Sequence, residues 1–260
     1  MSMDELVQFE RLVKSSERVR DLGEVFTPTS SVQEILDLLP KNVWKSHPSP
    51  TFLEPSCGDG NFLVLILERK LNQIALDFAK GKLPAGVTSE AAQFHALEAL
   101  ASIYAVDIST ENIIGGTPGH EVGARTRMQM AFNEWNSSTL GKNLNERSLV
   151  FRASSWIIEH NLIVGNMLPR DTDGKPTGRD EIPLIDYSWN VESSTVSLSI
   201  STLGDVIASQ EAESGSMLSL FSPDEPEPFW QGKAFSISEA DRVVAPALIG
   251  IARNGTGRRI

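Results

Sequence analysis

The chain has 260 residues, 40% of them hydrophobic and 22% charged, and its formal net charge at pH 7 is −11. This composition is typical of a globular protein with a sizeable core, in one α/β domain or two smaller ones. The acidic balance argues against nucleic-acid binding through average charge, because phosphate contacts need clustered Lys and Arg. The single cysteine, Cys57, excludes an intrachain disulfide and fits a reducing cytosol, so a cytoplasmic location is expected. No apolar run reaches membrane-spanning length, so no membrane contact is expected.

Helical and extended patterns alternate up to residue 169, which predicts a parallel sheet. An amphipathic helix is predicted at Asp4–Arg20, and a second helix, capped by Ser30 or Ser31, is predicted to end at Leu39. The strands predicted next are Thr51–Glu54, Ile103–Ile108 and Asn161–Asn166. The predicted helices are one ending near Lys80 and those at Ser89–Leu100, Glu111–Ile114, Val122–Trp135 and Ser154–His160.

The pattern changes after Pro169. A polar loop is followed by two alternating segments, Ile182–Trp189 and Val191–Leu203, which predict a β-hairpin. The segment Glu213–Pro228 has the composition of a mobile linker, and Ser236–Ile251 is predicted to be a final helix. The expected division is therefore residues 1–169 as the core with an N-terminal helical segment, 170–212 as a β-rich extension, and 213–260 as linker and tail.

The most informative segment is Thr51–Leu63, which reads TFLEPSCGDGNFL. A short apolar strand ends in Glu54, and a turn with Gly58 and Gly60 leads into an apolar helix, as in the first unit of a doubly wound sheet. Glycines let the backbone approach a ligand closely. Because Glu54 and Asp59 flank the turn, a ligand that carries a cation suits it better than a pyrophosphate.

This segment resembles motif I of the class I S-adenosylmethionine-dependent methyltransferases, in the form found in adenine-specific DNA methyltransferases. The resemblance implies a Rossmann-like α/β sheet, here with an N-terminal helical segment and a small C-terminal β-rich extension. It also implies that S-adenosylmethionine is the cofactor. The motif I residues that would contact it are Glu54, Pro55, Cys57, Gly58, Asp59, Gly60 and Phe62.

Three further segments follow the order of motifs in that family. Phe26, Thr27 and Pro28 resemble motif X, which holds the methionine end of the cofactor; a plain loop between helices is the alternative. Asp107 and Ile108 resemble motif II, implying contacts to the ribose hydroxyls and to the adenine. Asn166 and Leu168 resemble motif III, which contacts the adenine. The alternatives are that Asp107 caps a helix and that Asn166 caps a turn.

Amino-methylating members of the family carry a polar–Pro–Pro–aromatic motif after the fourth strand, and this chain has no Pro-Pro dipeptide. Asp186-Tyr-Ser-Trp189 is a degenerate candidate, with Asp186 and Trp189 as the catalytic pair. An ordinary edge strand with one exposed acid is the alternative. Asn166-Met-Leu-Pro169 is a second candidate, and choosing it would remove motif III.

The leading functional hypothesis is adenine-N6 methylation of DNA, as in restriction–modification systems or phages. The alternatives are a cofactor-binding subunit or regulator without catalysis, and a methyltransferase acting on RNA, protein or a small molecule. DNA is the expected substrate, and because a chain of this length is short for a full target-recognition domain as well, either a protein partner that supplies target recognition or a loose sequence preference is expected. The nearest arginine clusters are Arg18, Arg20, Arg125 and Arg127. No metal site is expected, because the histidines show no ligand spacing.

Overall fold

The computed structural model describes residues 27–84, 86–117, 121–215, 230–231 and 235–236. Within these ranges the helices are α1 (Thr29–Asp37), α2 (Asn61–Ala79), α3 (Ser89–Ala101), α4 (Thr110–Ile113), α5 (Ala124–Leu140), α6 (Leu149–Asn161) and α7 (Leu203–Gly215). The strands are β1 (Phe52–Glu54), β2 (Ile103–Asp107), β3 (Leu162–Val164), β4 (Pro183–Asn190), β5 (Thr195–Thr202), β6 (Trp230–Gln231) and β7 (Phe235–Ser236). The predicted helix at Asp4–Arg20 lies outside the described residues, as does the one at Ser236–Ile251 apart from Ser236.

The strands β1, β2 and β3 form a parallel sheet in that order. Phe52 lies opposite Ile103, and Ala105 lies opposite Leu162. Helices connect successive strands, as parallel pairing requires. The predicted α/β architecture is confirmed at this level: three predicted strands are adjacent, parallel and joined by helices.

The helix α3 is buried on every side, from Ala91 to Ala101. A helix that is apolar all round belongs in a core, and its alanines let neighbouring elements approach closely. Its buried polar side chains contact other polar groups, since Gln93 Nε2 donates to Asn136 Oδ1 at 3.0 Å and Glu98 lies within hydrogen-bond distance of two histidine nitrogens. The helix therefore brings specific polar contacts into the centre of the fold.

The predicted hairpin is present as β4 and β5, antiparallel from Pro183 opposite Thr202 to Asn190 opposite Thr195. Alternation turns one face inward, and the buried side chains on that face are Ile185, Val196, Leu198 and Ile200. They belong to the same hydrophobic core as the residues of α2 and of the parallel sheet. The segment expected to be a separate extension thus shares the core of the first 169 residues.

A helix that the sequence analysis did not predict follows β5. α7 crosses the expected boundary at residue 212. Thr202 Oγ1 accepts the N–H of Asp205 at 3.2 Å, and Asp205 Oδ2 accepts the N–H of Thr202 at 3.0 Å. This reciprocal pair is a capping box, so a Thr-x-x-Asp signal was present in the sequence. The helix was not predicted from this signal, because the Ser- and Glu-rich residues that follow have the composition of a linker.

Two predicted helix starts differ from the structure. α1 begins after Pro28 rather than after Ser30 or Ser31, and the fixed φ of proline suits the entry to a helix. α6 begins at Leu149, five residues before the predicted Ser154, because the Ser148 hydroxyl accepts the N–H of Phe151 at 3.2 Å. Among the described residues, no helix has both the length and the apolar character that a membrane crossing needs.

Candidate cofactor site

The carboxyl ends of the three parallel strands lie together and form one edge of the sheet. β1 leads into the turn at residues 55–60, β2 ends at Asp107, and β3 leads into residues 165–168. The N–H of Cys57 donates to the carbonyl of Val106 at 3.2 Å, and the N–H of Gly165 donates to the carbonyl of Asp107 at 2.9 Å. We call this region the carboxyl edge; it is where open α/β sheets bind ligands.

The glycine turn depends on two left-handed backbone conformations. Gly58 has a φ of 55° and Gly60 a φ of 95°, which L-residues with side chains rarely adopt. A Cβ on Gly60 would also lie 3.1 Å from the Cβ of Ala124, so α5 packs directly against the turn. α2 starts after Gly60 without a side-chain cap, which leaves its first N–H groups facing the turn.

Asp107 lies at the centre of this edge and is only 6% exposed. Its Oδ2 accepts the N–H of Gly58 at 2.8 Å, and its Oδ1 accepts the N–H of Ser109 at 2.8 Å and the amide of Asn112 at 3.2 Å. A carboxylate offers about four lone-pair positions, so about one remains for a ligand. Asp107 is therefore both the organiser of the two turns and an acceptor with room for a single hydroxyl.

Of the two acids that flank the turn, one is paired with an arginine and the other is not in a salt bridge among the described residues. Asp59 is paired, because Arg127 Nη1 lies 2.9 Å from its carboxylate. Glu54 is half-buried and accepts the N–H of Ser56 at 3.2 Å. Burial, together with the charges of Asp107 and Glu54, raises the pKa of the Cys57 thiol well above its usual value. Cys57 is therefore a protonated thiol in a negative potential, which suits a cationic ligand.

Two apolar side chains project from this edge into solvent. Ile108 is 57% exposed and directly follows Asp107, and Leu168 is 63% exposed and lies two residues after Asn166. The side-chain oxygen of Asn166 accepts the N–H of Leu168 at 3.0 Å, which orients the segment after β3. Exposed apolar groups beside polar acceptors form a surface that a flat heteroaromatic ring can cover.

The segment before α1 reaches the glycine turn. The amide of Asn61, the first residue of α2, donates to the carbonyl of Thr27 at 3.0 Å. Pro28 is the N-cap of α1, and its carbonyl accepts the N–H of Val32 at 3.0 Å. Phe62 is partly buried and packs against the core. Phe26 lies outside the described residues.

The other predicted cofactor residues lie in the turn itself. Pro55 follows β1, and Cys57 is buried with its thiol donating to the carbonyl of Gly58 at 3.4 Å. The structure thus brings Thr27, Pro28, the motif I turn, Asp107, Ile108, Asn166 and Leu168 to one edge.

Asp186 and Trp189 do not join this edge, which corrects their assignment as a catalytic pair beside the cofactor residues. Tyr187, between them, donates to Asn161 Oδ1 at 2.9 Å, and Asn161 Nδ2 donates to the carbonyl of Ala101 at 2.8 Å. Asn161 directly precedes β3, so these contacts lie at the opposite, amino edge of the sheet. Trp189 packs edge-on against Phe94 of α3, with centroids 5.2 Å apart.

This placement has a physical reason in the hairpin. β4 starts at the carboxyl edge, where Ile182 packs with Val106, and runs past Tyr104 towards the amino edge. Asp186 is exposed on it, opposite Ser199. The apolar alternation that builds the hairpin therefore packs the partly buried Trp189 against the core, and it leaves Asp186 exposed on a strand at the end of its sheet, as in the edge-strand alternative.

Two of the arginines singled out for nucleic-acid contact are used within the protein. Arg125 donates through Nη2 to the carbonyls of Glu159 and Leu162, both at 2.8 Å. Arg127 donates to the carbonyl of Asp59 at 3.0 Å and to Asn61 Oδ1 at 2.8 Å. Both guanidinium groups therefore make hydrogen bonds within the fold, which argues against their use as contacts to DNA phosphates. Arg18 and Arg20 lie outside the described residues.

The structure also forms a polar cluster that the sequence analysis missed. His47, His95 and Glu98 meet at the amino edge, where one ligand atom from each lies within 4.8 Å of the others. The spacing His95-x-x-Glu98 places both on one face of α3 and was readable as a signal. His47 is 48 residues before His95 in the sequence, and only the tertiary fold shows that it joins them.

The chain matches none of the family models it was compared with, and no curated protein or solved structure matches it.

Proposed function

We propose that this protein binds S-adenosylmethionine at the carboxyl edge and takes part in methyl transfer. The observation that carries the proposal is the meeting of the glycine turn, Asp107 and Asn166 at the ends of three parallel strands. These are the segments that resemble motifs I, II and III. Their convergence is what such a cofactor site requires, because the ligand spans all three strands.

The residues at the carboxyl edge offer a contact for each chemical group of S-adenosylmethionine. The acidic potential from Glu54 and Asp107 favours its sulfonium and ammonium cations. The remaining lone pair of Asp107 suits a ribose hydroxyl. Ile108 and Leu168 offer apolar cover for the adenine, and Asn166 offers an amide for its polar edge. The Thr27 segment, bonded to Asn61, lies where motif X would hold the methionine end.

The resemblance to motif I of adenine-specific DNA methyltransferases favours N6 of adenine in DNA as the methyl acceptor. Transfer to an exocyclic amine needs a polar group that accepts its hydrogens next to the methyl group. Asn166, at the carboxyl edge, keeps one side-chain lone pair beyond its bond to Leu168. Asn166 is therefore the better catalytic candidate now that Asp186 lies on the other side of the sheet, in a role that replaces its motif III contact to the cofactor adenine. RNA, protein and small molecules remain alternative acceptors.

A second candidate function is a cofactor-binding subunit whose catalytic residues come from a partner. It is favoured by the position of Trp189, which packs against the core at the amino edge. The parallel sheet also favours this second function. Within the described residues the sheet has three strands, and no fourth strand lies beside β1. Leu53 of β1 is 45% exposed. In the resembled family, the catalytic motif follows a fourth strand.

A methyl-transfer assay separates the two functions. The full chain is incubated with S-adenosylmethionine carrying a tritiated methyl group and with adenine-containing duplex DNA. Label in DNA that Asn166→Ala abolishes supports the enzyme, with Asn166 in the catalytic role if cofactor binding persists and in the motif III role if cofactor binding is lost. Cofactor binding without label in DNA supports the subunit, and the absence of both rejects the proposed function. Asn145→Ala, at an exposed loop asparagine, is the matched control.

A further inference from the structure

The cluster at the amino edge has an unusual arrangement of acceptors. Glu98 is nearly buried, with a side chain 5% exposed, and lies between two histidines. Its Oε2 is 2.8 Å from Nδ1 of His47 and 3.2 Å from Nδ1 of His95. The N–H of Ser49 donates to Oε1 at 2.9 Å. The carboxylate therefore faces two imidazole nitrogens inside the protein.

The His95 ring faces an acceptor at each nitrogen. Its Nε2 lies 3.0 Å from the carbonyl of Pro84, which only accepts hydrogen bonds, so Nε2 carries a proton. In the neutral ring, Nδ1 then has a lone pair that points at the Glu98 carboxylate. That contact is repulsive unless a cation lies there: a second proton or a metal ion. The His95 side chain is fully buried.

The environment favours a metal ion. A histidine that ligates a metal characteristically donates its other ring N–H to a carbonyl, as His95 does to Pro84. Two imidazoles and a carboxylate are the ligand set of zinc sites that keep an open position. The His47 side chain is 25% exposed, which gives solvent a path to the site. Imidazole ligands select zinc-type ions over magnesium or calcium.

Lys70 is a buried basic side chain in the same region and directs its hydrogen bonds elsewhere. Its Nζ donates to Ser49 Oγ at 2.8 Å and to the carbonyl of Pro50 at 2.6 Å. The hydrogen-bond contacts of Glu98 are therefore to the histidines and Ser49, although its charge also interacts with Lys70.

We propose that His47, His95 and Glu98 bind a divalent transition-metal ion of the zinc type, through Nδ1 of each histidine and a carboxylate oxygen. Solvent completes the coordination on the His47 side. The ion ties the loop before β1 to α3, and the site lies on the edge of the sheet opposite the proposed cofactor site. The two proposals are independent, because no residue is shared between them.

The test is a metal titration of the full chain after removal of bound metal with a chelator. Zn²⁺ is followed by calorimetry, and Co²⁺ by its visible d–d absorption, which reports the ligand geometry. We expect one ion per chain and a rise in Tm with Zn²⁺ concentration, because binding to the folded state stabilises it. His47→Gln, at the partly exposed ligand, is expected to weaken binding by at least about tenfold while the protein stays folded.

The chain has four histidines, so the other two give matched controls. His120→Gln and His160→Gln are expected to bind Zn²⁺ as the parent does. No stoichiometric binding by the parent overturns the proposal, as does equal binding by His47→Gln. A titration of His47→Gln with S-adenosylmethionine separates this outcome from failure of the proposed function, because that variant leaves the carboxyl edge intact.

Discussion

The Asp107 carboxylate accepts the backbone N–H of Gly58 at 2.8 Å, which joins the end of β2 to the turn after β1. One side chain therefore sets the distance between the two turns that form the proposed cofactor site. Its remaining bonds, to Ser109 and Asn112, fix the start of α4. Binding and stability are consequently linked at this residue.

Replacing Asp107 is expected to lower stability as well as affinity. Asp107→Ala leaves the N–H groups of Gly58 and Ser109 without an acceptor, and a buried unsatisfied group costs about 1–3 kcal/mol. Urea unfolding measures the change. Glu134→Ala, which removes an exposed acid from α5, is the control and is expected to stay within about 0.5 kcal/mol of the parent. Equal stability of the two variants would contradict the described geometry.

Gly60→Ala is expected to destabilise the protein by more than the cost of a left-handed backbone conformation alone. A left-handed conformation costs an L-residue about 1–2 kcal/mol, and the new Cβ also meets Ala124 at 3.1 Å. Gly116→Ala isolates the backbone cost, because Gly116 has a φ of 87° and a Cβ added there would meet nothing within 4 Å. The difference between the two midpoints of urea unfolding reports the contact with α5. A larger loss for Gly116→Ala would refute this packing.

Arg127→Ala is expected to weaken the fold and the proposed cofactor site rather than contacts to DNA phosphates. It removes the partner of Asp59 and the bond to Asn61, so the turn gains an unpaired acid and loses an anchor. Any DNA affinity of the folded protein should keep its salt dependence, since each phosphate contact contributes roughly −0.9 to the logarithmic slope. Anisotropy titrations at several salt concentrations measure that slope. Arg147→Ala, at an exposed arginine, is the control; a slope shallower by about one unit for Arg127→Ala alone would restore Arg127 as a phosphate contact.

Lys70 gives a pH dependence with a defined sign. Burial lowers its pKa to about 7 from 10.5, although the charge of Glu98 raises it. The unfolded chain therefore binds more protons above pH 7, so the unfolding free energy rises with pH by at most about 1.4 kcal/mol per unit. This rise of the unfolding free energy ends near pH 9. Above that pH the unfolded chain loses the Cys57 thiol proton while the folded chain keeps it, because the pKa of Cys57 is raised in the fold, so the unfolding free energy falls.

Urea unfolding between about pH 7 and pH 9 in the presence of a chelator tests this expectation. Lys70→Met should flatten the rise, whereas Lys45→Met, at an exposed position, should keep it. A rise that persists in Lys70→Met would assign the pH dependence to another group.

Local patterns predicted most of the fold because they report local physics. The alternation in Ile182–Trp189 reflects one buried face, and the TFLEPSCGDGNFL segment contains its own strand, turn and helix start. What the sequence could not show depends on contacts between distant residues. The position of Trp189 depends on its packing against Phe94, and the contact between His47 and Glu98 joins residues that are 51 positions apart in the sequence. Neither periodicity nor a motif reveals which edge of a sheet such side chains reach.

Calorimetric titration with S-adenosylmethionine tests the central claim most directly, using Ile108→Asp and Leu168→Asp. Both side chains are mostly exposed, so the variants should fold while losing the apolar cover for the adenine. Leu76→Asp is the control, because Leu76 is 50% exposed and lies fifteen residues along α2, about 22 Å from its start. We predict binding by the parent and by Leu76→Asp, and at least about tenfold weaker binding by the other two variants. No binding by the parent at high cofactor concentration, or equal binding by all four proteins, would contradict a cofactor site at the carboxyl edge.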